Sequence, residues 1–398
     1  MAKSLWGRVY LYNKFAGILR QEPGERMSFT YDLNYIENEK KPISYTLQLQ
    51  EESYISEDGL HPFFDNLVAE GWLEQAQGRL LGKRNTTRFE LLLAFGYDCI
   101  GAISVIDPDP IDISKKFLND KDPKEIALIK NRASLSGVQP KLALIKDNNG
   151  YRTTQIGEIS THIAKFSSEN HRDLIYNEYL TMLAYKYLMP DDNILEVFIS
   201  EIKDQDEPAL VIKRFDRELD RKIHFEEFNQ LMGNKSTRKY EGSHKQMSEF
   251  ILSNKSCLPI ENYKLFRRII TGILLGNTDM HLKNFSMFHK EEGLRLTPSY
   301  DQVNASIYGY KNIALTLAGE DDVEIGKIKA KHILALGKEF QLETAVIHMA
   351  VNVMSKNIEK AKNKIFESNF GSKKLKDNLI KHLEKKWNGI FSLIGKKS

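Results

Sequence analysis

A chain of 398 residues can form two or three domains, each with its own hydrophobic core. Its apolar fraction of 41% and charged fraction of 28% are typical of a globular protein and exclude a fibrous or disordered one. The formal net charge of +3 is too small to predict general affinity for nucleic acids or membranes.

The two cysteines, Cys99 and Cys257, lie far apart in the sequence among apolar or small residues. We therefore expect neither a disulfide framework nor a zinc site, and a reducing compartment suits the chain. The first residues lack the apolar segment of a signal peptide. No apolar run approaches the roughly 20 residues that a membrane helix needs. These features predict a cytoplasmic protein with no membrane partner.

The first part of the chain, residues 1–107, predicts a small α+β domain. Alternating residues at 6–12, followed by a second apolar run, indicate a β-hairpin. Residues 27–31 and 44–49 predict further strands. The pattern then becomes helical, and an apolar strand at 100–106 closes the domain. Pieces rich in Asp and Pro follow this strand and indicate a domain boundary.

A second α/β region is predicted at residues 125–217. A turn of small residues leads into an apolar strand, and a second strand carries Lys165. Apolar residues three to four apart predict an amphipathic helix over 177–188, which carries Glu178. A further strand ends in charge at Lys213. This order of turn, strand, lysine strand, glutamate helix and strand matches the N-terminal lobe of a kinase.

The remaining region, residues 223–398, is predicted to be mostly helical. Helical apolar periods occur at 246–252 and 263–275. The second helix runs directly into a polar stretch at 276–286, and a short strand at 294–297 follows. The polar stretch is the strongest functional signal in the chain.

This stretch places a carboxylate, an imidazole, an ammonium and a carboxamide within six residues: Asp279, His281, Lys283 and Asn284. The spacing of five between Asp279 and Asn284 is that of a kinase catalytic loop, although the usual His-Arg-Asp lead-in is absent. Asp301 supplies a second carboxylate after the short strand. Because hard cations prefer oxygen ligands, we predict that Asn284 and Asp301 bind Mg²⁺. Asp279 is predicted to be the catalytic acid–base group.

The kinase template suggests roles for four further residues. Lys283 is predicted to neutralise charge on the transferring phosphoryl group. His281 either holds the loop backbone, senses phosphate, or is an ordinary structural histidine. Lys165 is predicted to reach the α- and β-phosphates of ATP, with Glu178 as its supporting partner.

With these residues in view, the chain resembles the HipA family, the serine/threonine kinase toxins of bacterial toxin–antitoxin systems. The resemblance runs nearly end to end and keeps its order. It rests on motifs at 63–67 (Phe-Phe-Asp-Asn-Leu), 134–141 (Ser-Leu-Ser-Gly-Val-Gln-Pro-Lys), 161–165, 177–179, 214–217, 239–241, 276–286 and 296–301. The strings at 134–141 and 276–286 are specific, since few unrelated chains would carry both in this order.

The resemblance implies a two-lobed, α+β, protein-kinase-like fold with an added N-terminal subdomain and a mostly helical C-terminal lobe. It implies ATP and Mg²⁺ as cofactors. Residues 136–141 resemble the phosphate loop, and the ATP contacts that this implies are Ser136, Gly137, Val138, Gln139 and Lys141, together with Lys165, Lys213 and Phe215.

The resemblance also implies regulation and partners. Ser134 matches the serine that the family autophosphorylates, and Ser136 is a second candidate; the modification moves the loop and switches the kinase off. Typical targets are aminoacyl-tRNA synthetases. The antitoxin is a HipB-like helix-turn-helix protein, so DNA contact would be at most indirect. One departure is Lys213, where relatives often carry an acid near the adenine hinge.

Two other readings of the chain stay open. Lipid kinases and small-molecule phosphotransferases use the same set of one Asn and two Asp residues, so the chain could belong to either class. A nucleotide-binding regulator that has lost catalysis is the second reading, although all three catalytic-type residues are present in the sequence.

Overall fold

The computed structural model of the chain describes residues 5–82, 85–110, 124, 133–135, 139–155, 157–168, 170–218 and 221–395. The chain forms two compact units, Met1–Ser168 with Ser200–Arg238, and Glu169–Ile199 with Lys239–Ser398. The first unit joins the predicted N-terminal domain to the strands of the predicted second region. Residues 169–199 group with the C-terminal part, which differs from the predicted three-part division.

The N-terminal half of the first unit is built on a five-stranded antiparallel sheet of order β4-β3-β2-β1-β5. Its strands are β1 (Trp6–Leu11), β2 (Lys14–Gln21), β3 (Met27–Tyr31), β4 (Tyr54–Ser56) and β5 (Ile103–Ile106). Its helices are α1 (Leu33–Glu39), α2 (Pro62–Asp65), α3 (Gly71–Leu81) and α4 (Arg88–Phe95). Phe29, Phe63 and Phe64 are fully buried in the core between sheet and helices.

Local chemistry explains where these elements begin and turn. Tyr12 and Asn13, with φ of 51° and 65°, form the two-residue turn between β1 and β2. Positive φ at both positions suits this turn, because its twist matches that of the paired strands. Helix α4 begins at a capping box in which Thr87 and Glu90 satisfy each other's backbone N–H groups.

The predicted strand at 44–49 is wrong. Ser44 and Leu47 form an isolated bridge, and the segment is otherwise irregular. A tertiary contact holds it in this form. The buried Glu226 carboxylate accepts hydrogen bonds from Ser44 Oγ at 2.7 Å and from the Tyr45 backbone N at 2.6 Å. The alternating residue pattern at 44–49 therefore did not determine the structure of this segment, because the contact with Glu226 did.

The second half of the first unit carries an antiparallel sheet in which β7, β6, β8 and β10 are neighbours in that order. In chain order, the elements of this region are β6 (Lys141–Asp147), β7 (Gly150–Thr153), β8 (His162–Lys165), α5 (Leu174–Leu188), β9 (Val197–Ser200), β10 (Ala209–Lys213), β11 (Arg217–Glu218), β12 (Arg221–Lys222), β13 (Phe225–Glu227) and α6 (Phe228–Leu231). Of these, α5 and residues 197–199 of β9 belong to the second unit.

A buried ionic network joins the two halves of the first unit. Arg214 binds Asp216 through Nε and Nη2 at 2.9 and 2.6 Å. Arg217 donates to Asp98 Oδ1 at 2.7 Å and to the Cys99 carbonyl at 2.8 Å. Burial by itself would raise the pKa of the Asp98 carboxyl, but the two guanidinium groups hold it well below its usual range. Arg214, Asp216 and Arg217 of the motif at 214–217 therefore have a structural role.

The second unit is mostly helical, as predicted. Its remaining elements are α7 (His244–Ser253), α8 (Pro259–Leu275), the hairpin of β14 (Ser286–Lys290) and β15 (Gly293–Leu296), α9 (Ala330–Glu339), α10 (Thr344–Glu367), α11 (Lys373–Lys386) and α12 (Ser392–Gly395). Helix α8 is buried over most of its length, and α5 packs against α10. Within the described part of the chain, no helix has the length and apolarity to span a bilayer.

Truncation of one partner in the buried network tests its structural role. We expect Arg214→Ala to lower the free energy of unfolding by about 3–5 kcal/mol, because two buried carboxylates, Asp98 and Asp216, then share Arg217 as their guanidinium partner. Urea denaturation of the full chain measures this loss. Arg152→Ala, which removes a surface ion pair to Glu158, is the control and should cost less than about 1 kcal/mol. Equal losses in the two variants would contradict a special role for the network.

Candidate active site

Helix α8 positions both parts of the predicted catalytic site. Its C-terminus is Gly276, whose φ of 87° ends the helix in the left-handed region. A Cβ at this position would lie 2.4 Å from Asn304 Oδ1, so only glycine fits. On its side, Glu261 accepts a hydrogen bond from the Leu296 backbone N at 2.9 Å, and Arg268 donates to the Thr297 carbonyl at 2.7 Å. One helix therefore leads into the loop that carries Asp279 and also anchors the strand that precedes Asp301.

The loop after α8 is held by its own polar groups. Asn277 Oδ1 accepts a hydrogen bond from the Asp279 backbone N at 3.0 Å, and Asn277 Nδ2 donates to the Asp301 carbonyl at 3.3 Å. The His281 backbone N donates to the Asp279 carbonyl at 2.9 Å. Asn277 thus connects the backbone at both predicted acids.

His281 makes its contacts with the loop backbone. Its Nδ1 accepts a hydrogen bond from the Lys283 backbone N at 3.3 Å, and its carbonyl accepts one from the Asn284 backbone N at 2.9 Å. Its own backbone N donates to Asn284 Oδ1 at 3.2 Å. This geometry favours the interpretation in which His281 holds the loop in shape over a direct role with phosphate.

The two predicted metal ligands lie in direct contact. Asn284 Nδ2 donates to Asp301 Oδ2 at 2.6 Å. Asp301 adopts φ of 57°, a conformation that costs a non-glycine residue about 1 kcal/mol and that clusters at functional sites. A carboxylate and a carboxamide are oxygen donors of the kind that a hard cation such as Mg²⁺ takes. The residues present fit a magnesium site.

Asp279 has an electrostatic environment that suits a proton acceptor. Burial, and next the charge of Asp301, raise the pKa of its carboxyl to about 6, while a hydrogen bond from the Tyr240 hydroxyl at 3.0 Å and the charge of Lys239 oppose the rise. Perturbed carboxyl groups of this kind are common at active sites. The charge of Asp301, which raises the pKa of Asp279, is a second feature that suits a bound cation.

The remaining predicted residues of the second unit are buried. Lys283 is buried, and its carbonyl accepts a hydrogen bond from the Tyr300 hydroxyl at 2.9 Å. Glu178 is buried on α5. Asp279, His281, Lys283, Asn284 and Asp301 therefore come together in the second unit.

The predicted nucleotide residues of the first unit lie on or beside its second sheet. Lys141 and Lys165 are direct neighbours across the β6–β8 pairing, and both are buried. Gln139 Nε2 donates to the Phe166 carbonyl at 2.7 Å. Ser136, Gly137 and Val138 lie outside the described residues.

Three other predicted residues have clear positions in the first unit. Ser134 is buried, and its hydroxyl donates to the Leu67 carbonyl at 2.6 Å. Lys213 is exposed at the end of β10. The ring of Phe215 packs against that of Phe225, with centroids 4.8 Å apart.

Sequence reasoning gave no role to Tyr240, Asn277 or Tyr300, although each contacts the catalytic loop. Asn277 immediately precedes the loop, so a hydrogen-bonding role for a short polar side chain at a turn was readable from its position. Tyr240 lies 39 residues from Asp279, and no local pattern indicates that the two meet.

Comparison with known proteins agrees with the predicted kinase-like fold. Residues 133–363 match the model of the HipA-like C-terminal domain, and residues 7–106 match that of the HipA N-terminal domain. The chain belongs to the HipA family, and it is an enzyme of the kinase class.

Individual relatives support the same grouping. The chain is 27% identical over 357 residues to the Y4dM protein of Sinorhizobium fredii. The aligned region covers 83% of each chain. It is 29% identical over 289 residues to the serine/threonine-protein kinase toxin HipA of Shewanella oneidensis. This alignment covers 64% of this chain and 65% of that protein. A chain of the solved Shewanella oneidensis complex of HipA, HipB and operator DNA shares the fold, with a TM-score of 0.76, 21% identity, and coverage of 98% of this chain and 100% of that one.

The raised pKa of Asp279 predicts an acid limit for catalysis. An acceptor of the substrate proton must be ionised, so kcat/KM should fall tenfold per pH unit below the pKa of about 6. The measurement is a profile of kcat/KM against pH at constant ionic strength. An acid limb near pH 4, the ordinary range of an aspartate, would contradict the assignment.

Proposed function

We propose that this chain is an ATP- and Mg²⁺-dependent serine/threonine protein kinase that acts as the toxin of a toxin–antitoxin pair. The observation that carries the proposal is that Asp279, whose carboxyl has a raised pKa, lies in the same loop system as the contacting pair Asn284 and Asp301. This is the set of groups that phosphoryl transfer to a hydroxyl requires.

Each residue has a defined task in this proposal. Asp279 orients the substrate hydroxyl and accepts its proton. Asn284 and Asp301 hold Mg²⁺, which when bound supplies positive charge against the phosphates of ATP. Lys283, in the same loop, adds positive charge near the transferring group.

In the first unit, Lys141 and Lys165 supply two neighbouring ammonium groups for the phosphates. The segment 136–141 serves as the phosphate loop, and the backbone at Phe215 lines the adenine site, beside the exposed Lys213. Glu178 supports Lys165, as in the kinase template.

The partners are proposed from the relatives. The serine/threonine-protein kinase toxin HipA of Shewanella oneidensis has been solved with HipB and operator DNA. By analogy, this chain binds a HipB-like helix-turn-helix antitoxin in the cytoplasm and contacts DNA at most indirectly. Its substrate is a component of translation such as an aminoacyl-tRNA synthetase.

Transfer of radiolabelled phosphate from ATP to protein tests the kinase proposal. We expect Asp279→Asn to lower this transfer by a factor of about 10² to 10⁴, the usual contribution of a positioned acid–base group. Asp377→Asn, the same exchange at an exposed position of α11, is the control and should leave the rate unchanged. Transfer only to a lipid or small molecule, or ATP binding without turnover by dephosphorylated protein, would contradict the proposal.

Self-modification is proposed at Ser134 or Ser136. Because the Ser134 hydroxyl is buried against the Leu67 carbonyl, its phosphorylation requires that this hydrogen bond break. We expect mass spectrometry to find phosphate on one of these serines in the active protein and none in Asp279→Asn. Equal phosphate in both proteins would mean that another kinase adds it.

A further inference from the structure

Tyr240 is a surface residue whose polar end faces the catalytic loop. Its side chain is 49% exposed, yet its hydroxyl donates a hydrogen bond to Asp279 Oδ1 at 3.0 Å. Among the residues that the structure describes, no other side chain donates a hydrogen bond to this carboxylate. The orientation of the Asp279 side chain therefore depends on this one phenol.

The ring of Tyr240 is held independently of its hydroxyl. It packs edge-on against the His281 ring, with centroids 5.1 Å apart, and Lys239 Nζ lies 5.5 Å from its centroid. The Lys239 carbonyl accepts a hydrogen bond from the Leu282 backbone N at 3.1 Å. These contacts attach the 239–240 segment to the loop, so the phenol hydroxyl is not needed for attachment.

We propose that Tyr240 is a positioning residue for Asp279, which holds one carboxylate oxygen so that the other faces the incoming substrate hydroxyl. The proposal rests on the kinase function given above. An aspartate side chain has two rotatable bonds, and a carboxylate held at one oxygen samples fewer orientations. Near-attack geometry of this kind accounts for much of the rate that enzymes gain from positioning.

The charged and polar groups around Asp279 also support a positioning role for Tyr240. The groups that face this carboxylate are Asp301, which disfavours its ionised form, and Lys239 and the Tyr240 hydroxyl, which favour it. A hydrogen bond from a neutral donor to an ionised acceptor is stronger than one between neutral groups. Tyr240 therefore helps to keep the Asp279 carboxyl in the ionised state that accepts a proton.

The position of Tyr240 at the protein surface also has a consequence for substrate entry. A half-exposed ring beside the catalytic acid lies where a protein substrate must present its hydroxyl. Since the hydroxyl of Tyr240 occupies only Oδ1 of Asp279, the contact holds the acid in place rather than competing with the substrate for it. If the Tyr240 hydroxyl instead competed with the substrate for Asp279, removing that hydroxyl would raise the activity. Measuring the activity of a variant without the hydroxyl therefore distinguishes positioning from competition.

The test is Tyr240→Phe in the full chain, because this change removes the hydroxyl and keeps the ring contacts with His281 and Lys239. We expect kcat to fall roughly 3- to 30-fold with KM for ATP unchanged. We also expect the acid limb of the kcat/KM profile to move up by roughly 0.5 to 1 pH unit. Tyr187→Phe, at a ring that packs under Lys360 away from the loop, is the matched control and should change neither quantity.

Other outcomes separate the inference from the proposed function. An unchanged kcat with an unmoved acid limb, or a higher kcat, in Tyr240→Phe would overturn the positioning role while Asp279→Asn still abolishes activity. Full activity of Asp279→Asn would overturn the proposed function, and the inference with it. Thermal unfolding of both tyrosine variants should match the wild type, since neither loses a buried contact; a lower melting temperature for Tyr240→Phe, with kcat/KM and its pH profile unchanged, would instead assign the hydroxyl a structural role.

Discussion

Helix α8 is the constraint on which the predicted catalytic site depends. It is buried along most of its length, and it ends at a glycine that no other residue can replace without meeting Asn304. The loop with Asp279 begins where the helix ends, and Glu261 and Arg268 hold the strand that leads to Asp301. Because a buried helix moves little, both acids are placed by one rigid element, and hydrogen bonds from Asn277 set the distance between their backbones.

The two units use buried charge in opposite ways. In the first unit, Asp98 and Asp216 each have a guanidinium partner, and the pKa of Asp98 is held below its usual range. In the second unit, the like charge of Asp301 adds to burial and raises the pKa of Asp279. Paired charge fixes the structure of the first unit. The repulsion between these two carboxylates is a source of electrostatic energy that a bound cation or an accepted proton would relieve.

Much of the fold was predictable where local patterns and tertiary structure agree. The hairpin of β1 and β2, strand β3, helix α8 and the helical character of the C-terminal region follow their apolar periods. The strand predicted at 44–49 is wrong, because the carboxylate of Glu226, 182 residues from Ser44, holds that segment in an irregular form. Helix α1 (Leu33–Glu39) was missed because it is short, and only Tyr35 on it is buried, which leaves a weak apolar period. The roles of Lys213 and of residues 136–138 stay predictions.

The sequence by itself indicated which functional groups the predicted catalytic loop carries, because the spacing of Asp279, His281, Lys283 and Asn284 is a local property of one short segment. It also identified the HipA family, since the motifs keep their order along the chain. Tertiary structure alone decided which distant groups serve this loop. The hydrogen bond from Tyr240 to Asp279, the contact of Asn284 with Asp301 and the burial of Ser134 against Leu67 join residues 39, 17 and 67 positions apart. Such contacts depend on how buried elements pack, and no periodicity or spacing in the sequence encodes them directly.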